Sequence, residues 1–258
     1  MNDTIRQLVV AVSAVLAIVG SVIGSGAAGG TPIQEAAGGA LSATATPIAP
    51  GAAAFSIWSV IYLGLIGYTI WQLLPKQRAA QRHRALGYWI AASLLLNAAW
   101  ILSIQFGLLW LSVPIIAALV AVLVRAFFLC LRLRPTGVID ALLTDATIGL
   151  YLGWVCIATA ANVTAVLVAA GFMGFGIPAA VWSVGVIAIA GIVGVLLAIA
   201  GRGRLSPALS LGWGLAWVAV ARLTGDLISI PTAIAAVLAV VAVLGVTIVA
   251  RATRGSVA

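Results

Sequence analysis

Apolar residues run through this chain in stretches long enough to cross a bilayer, and short polar or glycine-rich gaps separate them. The stretches cover about residues 8–24, 52–74, 86–106, 109–131, 138–170, 179–200, 206–222 and 231–250. A spanning helix needs roughly 20 predominantly apolar residues. The pattern therefore predicts an all-α, polytopic membrane helical bundle of about eight transmembrane helices. Pro75, the Gly171 to Pro178 stretch, the basic GRGR at 201–204 and the TGD turn at 224–226 mark the breaks.

Within three of these runs the polar and aromatic residues recur at helical spacing. In the second run Phe55, Trp58, Tyr62 and Thr69 fall in one angular sector, joined by Ser59. In the third, Trp89, Ser93, Asn97 and Trp100 share a face. In the fifth, Tyr151, Trp154, Ala158 and Asn162 form a stripe that extends back to Asp140, Thr144 and Thr147. Residues three and four apart lie on the same side of a helix. A polar line is costly against lipid, so each stripe is expected to face protein, water or a ligand. Convergence of the three encloses an aromatic pocket with a few fixed hydrogen bonds.

Composition agrees with the membrane reading: 64% hydrophobic and 7% charged residues, with a mean hydropathy of +1.25. A soluble chain carries roughly a quarter charged residues. The net charge of +8 does not point to nucleic acid, because the basic residues sit in the gaps between apolar runs. In an eight-span topology Arg6, the cluster Lys76, Arg78, Arg82 and Arg84, and Arg132, Arg134, Arg202, Arg204, Arg251 and Arg254 all fall on one side. The positive-inside rule makes that side cytoplasmic and places both termini there, with the bundle expected in the cell (inner) membrane. Arg222 falls on the other side, four residues from Asp226, which is placed to neutralise it if the helix extends that far.

Other features have plainer readings. Cys130 and Cys156 read as buried thiols, and His83 as a solvated loop residue. The first run is either a cleaved signal peptide or a retained helix; Gly20 and Gly24 favour the helix by forming a small-residue packing face. Residues 25–51 are either a lid over a site or a tether. Trp213 and Trp217 read as interfacial anchors or core packing. Arg125 and Asp145 lie about two turns in from the same face on adjacent antiparallel helices and are expected to form an intramembrane ion pair.

The residues from Pro50 through Phe55, Trp58 and Tyr62, the Asn97-x-x-Trp100 pair, and Tyr151-x-x-Trp154 followed by Ala158 and Asn162 resemble the TspO/MBR family of translocator proteins and tryptophan-rich sensory proteins. The resemblance covers about residues 5–165. It implies a five-helix ligand-binding bundle over 1–165, with 166–258 as a three-helix C-terminal transmembrane extension. It also implies a pocket opening toward the loop between the first two helices, with that loop as its lid. The ligands it implies are tetrapyrroles (porphyrin or haem), sterols or similar hydrophobic aromatic molecules. Phe55, Trp58, Tyr62, Asn97, Trp100, Tyr151, Trp154, Ala158 and Asn162 are then the ligand-binding residues. Here Phe55 stands three residues before Trp58 where the family usually has four, and Gln105-Phe106-Gly107, displaced by one, replaces the Phe-Phe-Gly that follows the third-helix Trp in the family.

The expected function is that of a sensor, regulator or transporter in the lipid bilayer. It requires no cofactor beyond a bound porphyrin or haem ligand and no metal, and a homodimer is one arrangement the resemblance allows. The alternative is a proton-coupled secondary transporter of a small hydrophobic solute using Asp140 and Asp145. No catalytic triad, metal cluster or nucleotide loop points to an enzyme.

Overall fold

A computed structural model describes residues 2–255. The extreme termini, expected on the cytoplasmic side, and the side chain of Arg254 lie outside the described residues. Among the described residues the chain is all-α, with no strand. Eight long helices follow in order: α1 (Asp3–Gly24), α2 (Ile57–Leu73), α3 (Gln81–Gln105), α4 (Ser112–Arg132), α5 (Val138–Ala169), α6 (Ala179–Ala200), α7 (Leu205–Thr224) and α8 (Ile230–Gly255). Short 3₁₀ turns at Ala52–Ser56 and Leu109–Leu111 lead into α2 and α4. The Asn2 side chain caps α1 by accepting from the Thr4 and Ile5 amides. Pro178 and Pro231 stand at the starts of α6 and α8, where a missing N–H matters least.

Among the described residues, seven helices are long and apolar enough to cross a membrane. The remaining one, α7, is diluted by Ser206, Pro207, Ser210, two glycines and Arg222, yet eleven of its 20 residues are buried. A helix shielded by its neighbours needs less apolar surface than one in contact with lipid.

Three helices are longer than the sequence reading: α1 begins at Asp3 instead of near Leu8, α3 at Gln81 instead of near Leu86, and α8 runs to Gly255 instead of about Ala250. The basic 76–84 segment is therefore partly helical. Arg82 and His83 are buried, as is Arg6. The expectation of a solvated His83 is corrected: its Nε2 lies 3.2 Å from Gln77 Oε1 and its ring packs edge-on against Tyr68 at 5.7 Å.

The chain divides into two compact units. One comprises Trp58–Leu152 with the chain up to Ile33; the other comprises Gln34–Ile57 with the chain from Gly153 onward. In the first unit α1 packs on α3, and α3 on α4. Gly20 and Gly24 of α1 lie against Ala98 and Ile101 of α3, the small-residue face expected of a packed first helix. Gln7 and Gln72 clasp α1 to α2 reciprocally, each side-chain amide donating to the other's backbone carbonyl at 2.6 and 3.2 Å. Helix α2 meets α5 through Gly64, where an added Cβ falls 2.8 Å from Thr147 Cγ2 and 3.1 Å from its Cβ. Gly64→Ala is accordingly expected to destabilise the protein by roughly 1–3 kcal/mol, read as a lowered thermal unfolding midpoint in detergent.

In the second unit α8 packs against both α6 and α7. The Ser183 and Thr232 hydroxyls join α6 to α8 at 2.6 Å. Helix α7 and the C-terminal half of α5 interlock by two notches. Gly153 of α5 receives Pro207 and Ser210, while Gly214 of α7 receives Ile157.

Candidate functional site

The first unit gathers four of the sequence-predicted site residues. The Trp58 ring stands 5.9 Å from Tyr62 and 5.8 Å from Tyr151, the latter edge-on at 70°. Tyr62 and Trp58 are one helical turn apart on α2, and Tyr151 comes from α5. Asn97 of α3, only 4% exposed, donates from Nδ2 to the Tyr62 hydroxyl at 2.8 Å. That hydroxyl also shares a hydrogen bond with Ser21 Oγ of α1. The Tyr151 hydroxyl donates to the Ser93 carbonyl at 3.1 Å. Trp100, one turn along α3 from Asn97, is buried.

The result is a ring cluster whose hydroxyl tips are tied to two further helices, α1 and α3. Edge-on ring pairs contribute about 0.5–1.5 kcal/mol each beyond their burial. Asn97 Oδ1 is buried and has no hydrogen-bond partner among the described residues. Whichever way the amide is turned, one of its two polar atoms is left over. A buried acceptor without a partner costs on the order of 1–3 kcal/mol, which a ligand donor removes.

Phe55, Trp154, Ala158 and Asn162 belong to the second unit. There the Phe55 ring packs edge-on against Trp154 at 5.8 Å, with Trp154 and Asn162 buried and Ala158 half-buried. Helix α5 is α-helical from Thr147 to Ala169, the geometry on which the stripe through Tyr151, Trp154, Ala158 and Asn162 depends.

The long segment before α2 is fastened down. Arg222 of α7, 1% exposed, donates from Nη1 to the Thr46 carbonyl at 3.3 Å and from Nη2 to the Ala43 carbonyl. The Gly51 amide donates to the Trp217 carbonyl at 3.1 Å, and Trp213 Nε1 donates to the Ala54 carbonyl at 3.0 Å. Thr46, Ile48 and Ala49 are buried. Within the second unit this stretch is an anchored strap, not a tether. Arg222 serves the strap's backbone carbonyls, which corrects the expectation that Asp226 neutralises it. Trp213 and Trp217 also pack on each other at 5.6 Å.

The expected pair between Arg125 and Asp145 is also corrected. Arg125 is exposed on α4 and lies over the Trp89 ring at 5.9 Å. Asp145 faces Arg82, with Nη2 to Oδ1 at 2.5 Å, and Arg82 Nε lies 3.5 Å from Asp140 Oδ1. Arg82 Nη1 donates to the Leu133 carbonyl. The physical reason is the early start of α3, which carries Arg82 into the helical layer that a loop assignment kept it out of. Asp140 is further held by the Thr144 hydroxyl at 2.8 Å and the Thr136 amide at 3.0 Å.

Ser93 lies on the stripe expected of α3, and it serves through its backbone carbonyl. Ser21 carries no signal in the sequence for its part here, and the partners of Arg82 and Arg222 come from distant elements that local spacing does not indicate. No group of three or more His, Cys, Asp or Glu side chains suited to a metal ion occurs among the described residues.

In comparison with known proteins, the family model described as TSPO-like protein matches residues 10–249. No curated protein and no solved structure matches the chain. The matched length takes in α6, α7 and most of α8 as well as the part that carries the aromatic motifs. With nearly its whole length matched and its tryptophan, tyrosine and asparagine motifs in helices, the chain is a membrane protein that belongs to the TSPO-like family.

Proposed function

We propose that this protein binds tetrapyrroles or similar flat hydrophobic aromatic ligands within the membrane and acts on them as a sensor or transporter, without catalysing a reaction on them. The observation that carries this reading is the cluster of Trp58, Tyr62 and Tyr151 beside a buried Asn97 amide with one polar atom unmatched. Ring edges and faces grip an aromatic plane, and the amide fixes its orientation. The family's implied ligand-binding role for Trp100, and for Phe55, Trp154, Ala158 and Asn162 in the second unit, is part of the same proposal. So is an orientation with both ends of the chain in the cytoplasm, supported by the basic residues that flank alternate helix ends.

The test is a titration of the purified protein with protoporphyrin, followed by porphyrin absorbance so that removing a tryptophan does not remove the signal. Trp58→Leu deletes two ring pairs and is expected to weaken binding by about 1–3 kcal/mol. Asn97→Leu is expected to weaken it by about 1 kcal/mol. Wild-type affinity in both variants, with helical content preserved, rejects the site.

A further inference from the structure

We infer that Arg82 is a positioning residue for the Tyr151 ring, acting through a π-helical segment of α5. The ligand consequence of this rests on the binding role proposed above; the structural consequence does not.

Asp140 and Asp145 are five residues apart, and in an α-helix residues five apart point about 140° away from each other. Here both carboxylates meet one guanidinium. What brings them round is the π-helical stretch Ala141–Ala146, which follows Asp140 directly and contains Asp145, and in which residue i+5 returns over residue i. The same spacing recurs just beyond, where the Thr147 hydroxyl donates to the Leu142 carbonyl at 3.3 Å. The three charged groups are nearly buried, with side-chain exposures of 5% for Arg82, 1% for Asp140 and 9% for Asp145.

A π segment stores one residue more than the α-helix it interrupts. Rewinding it to α turns everything beyond it by about 100° and slides it by about 1.5 Å. Tyr151 lies just past this segment, with its ring on Trp58 and its hydroxyl on the Ser93 carbonyl. A turn of that size breaks both contacts. Gly64 and Gly67 on α2 provide the room that Thr147 and Leu143 occupy in the π register.

The ions supply the bias between the two windings. With Arg82 present, facing both carboxylates toward one point is favourable. Without it, two like charges share a buried spot, and the α winding separates them. Arg82 thereby sets the register at which Tyr151 completes the ring cluster.

The test incorporates fluorotyrosine into the full-length protein in detergent. Fluorine NMR then reads the Tyr151 resonance, assigned by its loss in Tyr151→Phe and referenced to the exposed Tyr88. Two variants are compared with wild type: Arg82→Met, and Arg82→Met/Asp140→Asn/Asp145→Asn, charge-free at these three positions, which removes the two carboxylates that the single variant leaves facing each other if that variant does not fold. Arg82→Lys serves as the conservative rescue. In the charge-free variant the Tyr151 resonance is expected to shift or split, hydrogen exchange over residues 141–151 to rise, and protoporphyrin to bind about tenfold more weakly. Arg82→Lys is expected to retain the wild-type resonance as its major species. A wild-type Tyr151 resonance in the charge-free variant overturns the inference, whatever happens to binding. A shifted resonance with unchanged protoporphyrin affinity overturns the positioning role. Failure of the wild type itself to bind protoporphyrin rejects the functional reading and leaves the resonance to decide the register.

Discussion

Gly153→Ala is expected to leave little or no folded protein. An added Cβ at this position falls on the Pro207 carbonyl oxygen and on Ser210 Oγ, with the Pro207 carbonyl carbon at 2.8 Å. A side chain in that place can rotate away; a backbone carbonyl fixed by a proline in the first turn of α7 cannot. Relief requires α5 and α7 to part, which unseats Ile157 from the notch at Gly214 and uncovers the fully buried Leu211 and Leu215. Overpacking typically costs about 1–3 kcal/mol, and the rigid obstacle here puts the expected cost at or above the top of that range. The measurement is the yield of monodisperse protein on size exclusion together with the thermal midpoint. Gly212→Ala is the matched control, because a Cβ there meets nothing within 4 Å. It is expected to be neutral or to stabilise α7 by up to about 1 kcal/mol.

The second large effect is expected from Arg222→Met. The guanidinium is the charged donor that holds the Thr46 and Ala43 carbonyls, and bonds to charged groups contribute about 1.5–3 kcal/mol each. Methionine keeps the length and apolar stem but donates nothing. Hydrogen exchange over residues 43–54 is expected to speed up by roughly ten- to a hundredfold, since each 1.4 kcal/mol is tenfold in the opening equilibrium. Exchange in the centres of α6 and α8 is expected to stay unchanged. Asp226→Asn serves as the contrast and is expected to leave the strap's exchange at the wild-type rate. Equal acceleration in both variants contradicts the assignment of Arg222 to the strap.

The long apolar runs made the helices legible, because a twenty-residue hydrophobic stretch has few other uses. The Trp58, Tyr62, Asn97 and Tyr151 positions were legible for a related reason: polar and aromatic groups at helical spacing in a greasy segment need partners. The partners themselves were not. Arg82 sits in a run of basic residues whose composition fits a loop, and only the early start of α3 and the π segment of α5 bring it to Asp140 and Asp145. One added residue per turn changes which side chains share a face, and no periodicity count made with an α-helical repeat contains it. Arg222 misled in a similar way: the acid four residues on is the local choice, whereas the carbonyls it serves lie about 180 positions earlier in the chain. The sequence echo between Leu152-Gly153-Trp154 and Leu211-Gly212-Trp213 likewise conceals a difference, since Gly153 is a contact point and Gly212 faces open space.

The central claim is that a flat aromatic ligand seats on the cluster of Trp58, Tyr62, Asn97 and Tyr151. Photolabelling with a protoporphyrin that carries a diazirine, followed by peptide mapping, tests it most directly. The account predicts saturable labels on those residues and their helical neighbours, competed away by unlabelled protoporphyrin. Labels confined to the outward positions of α2, where Val60, Leu63 and Ile70 are 52%, 71% and 59% exposed, and insensitive to competitor, would contradict it.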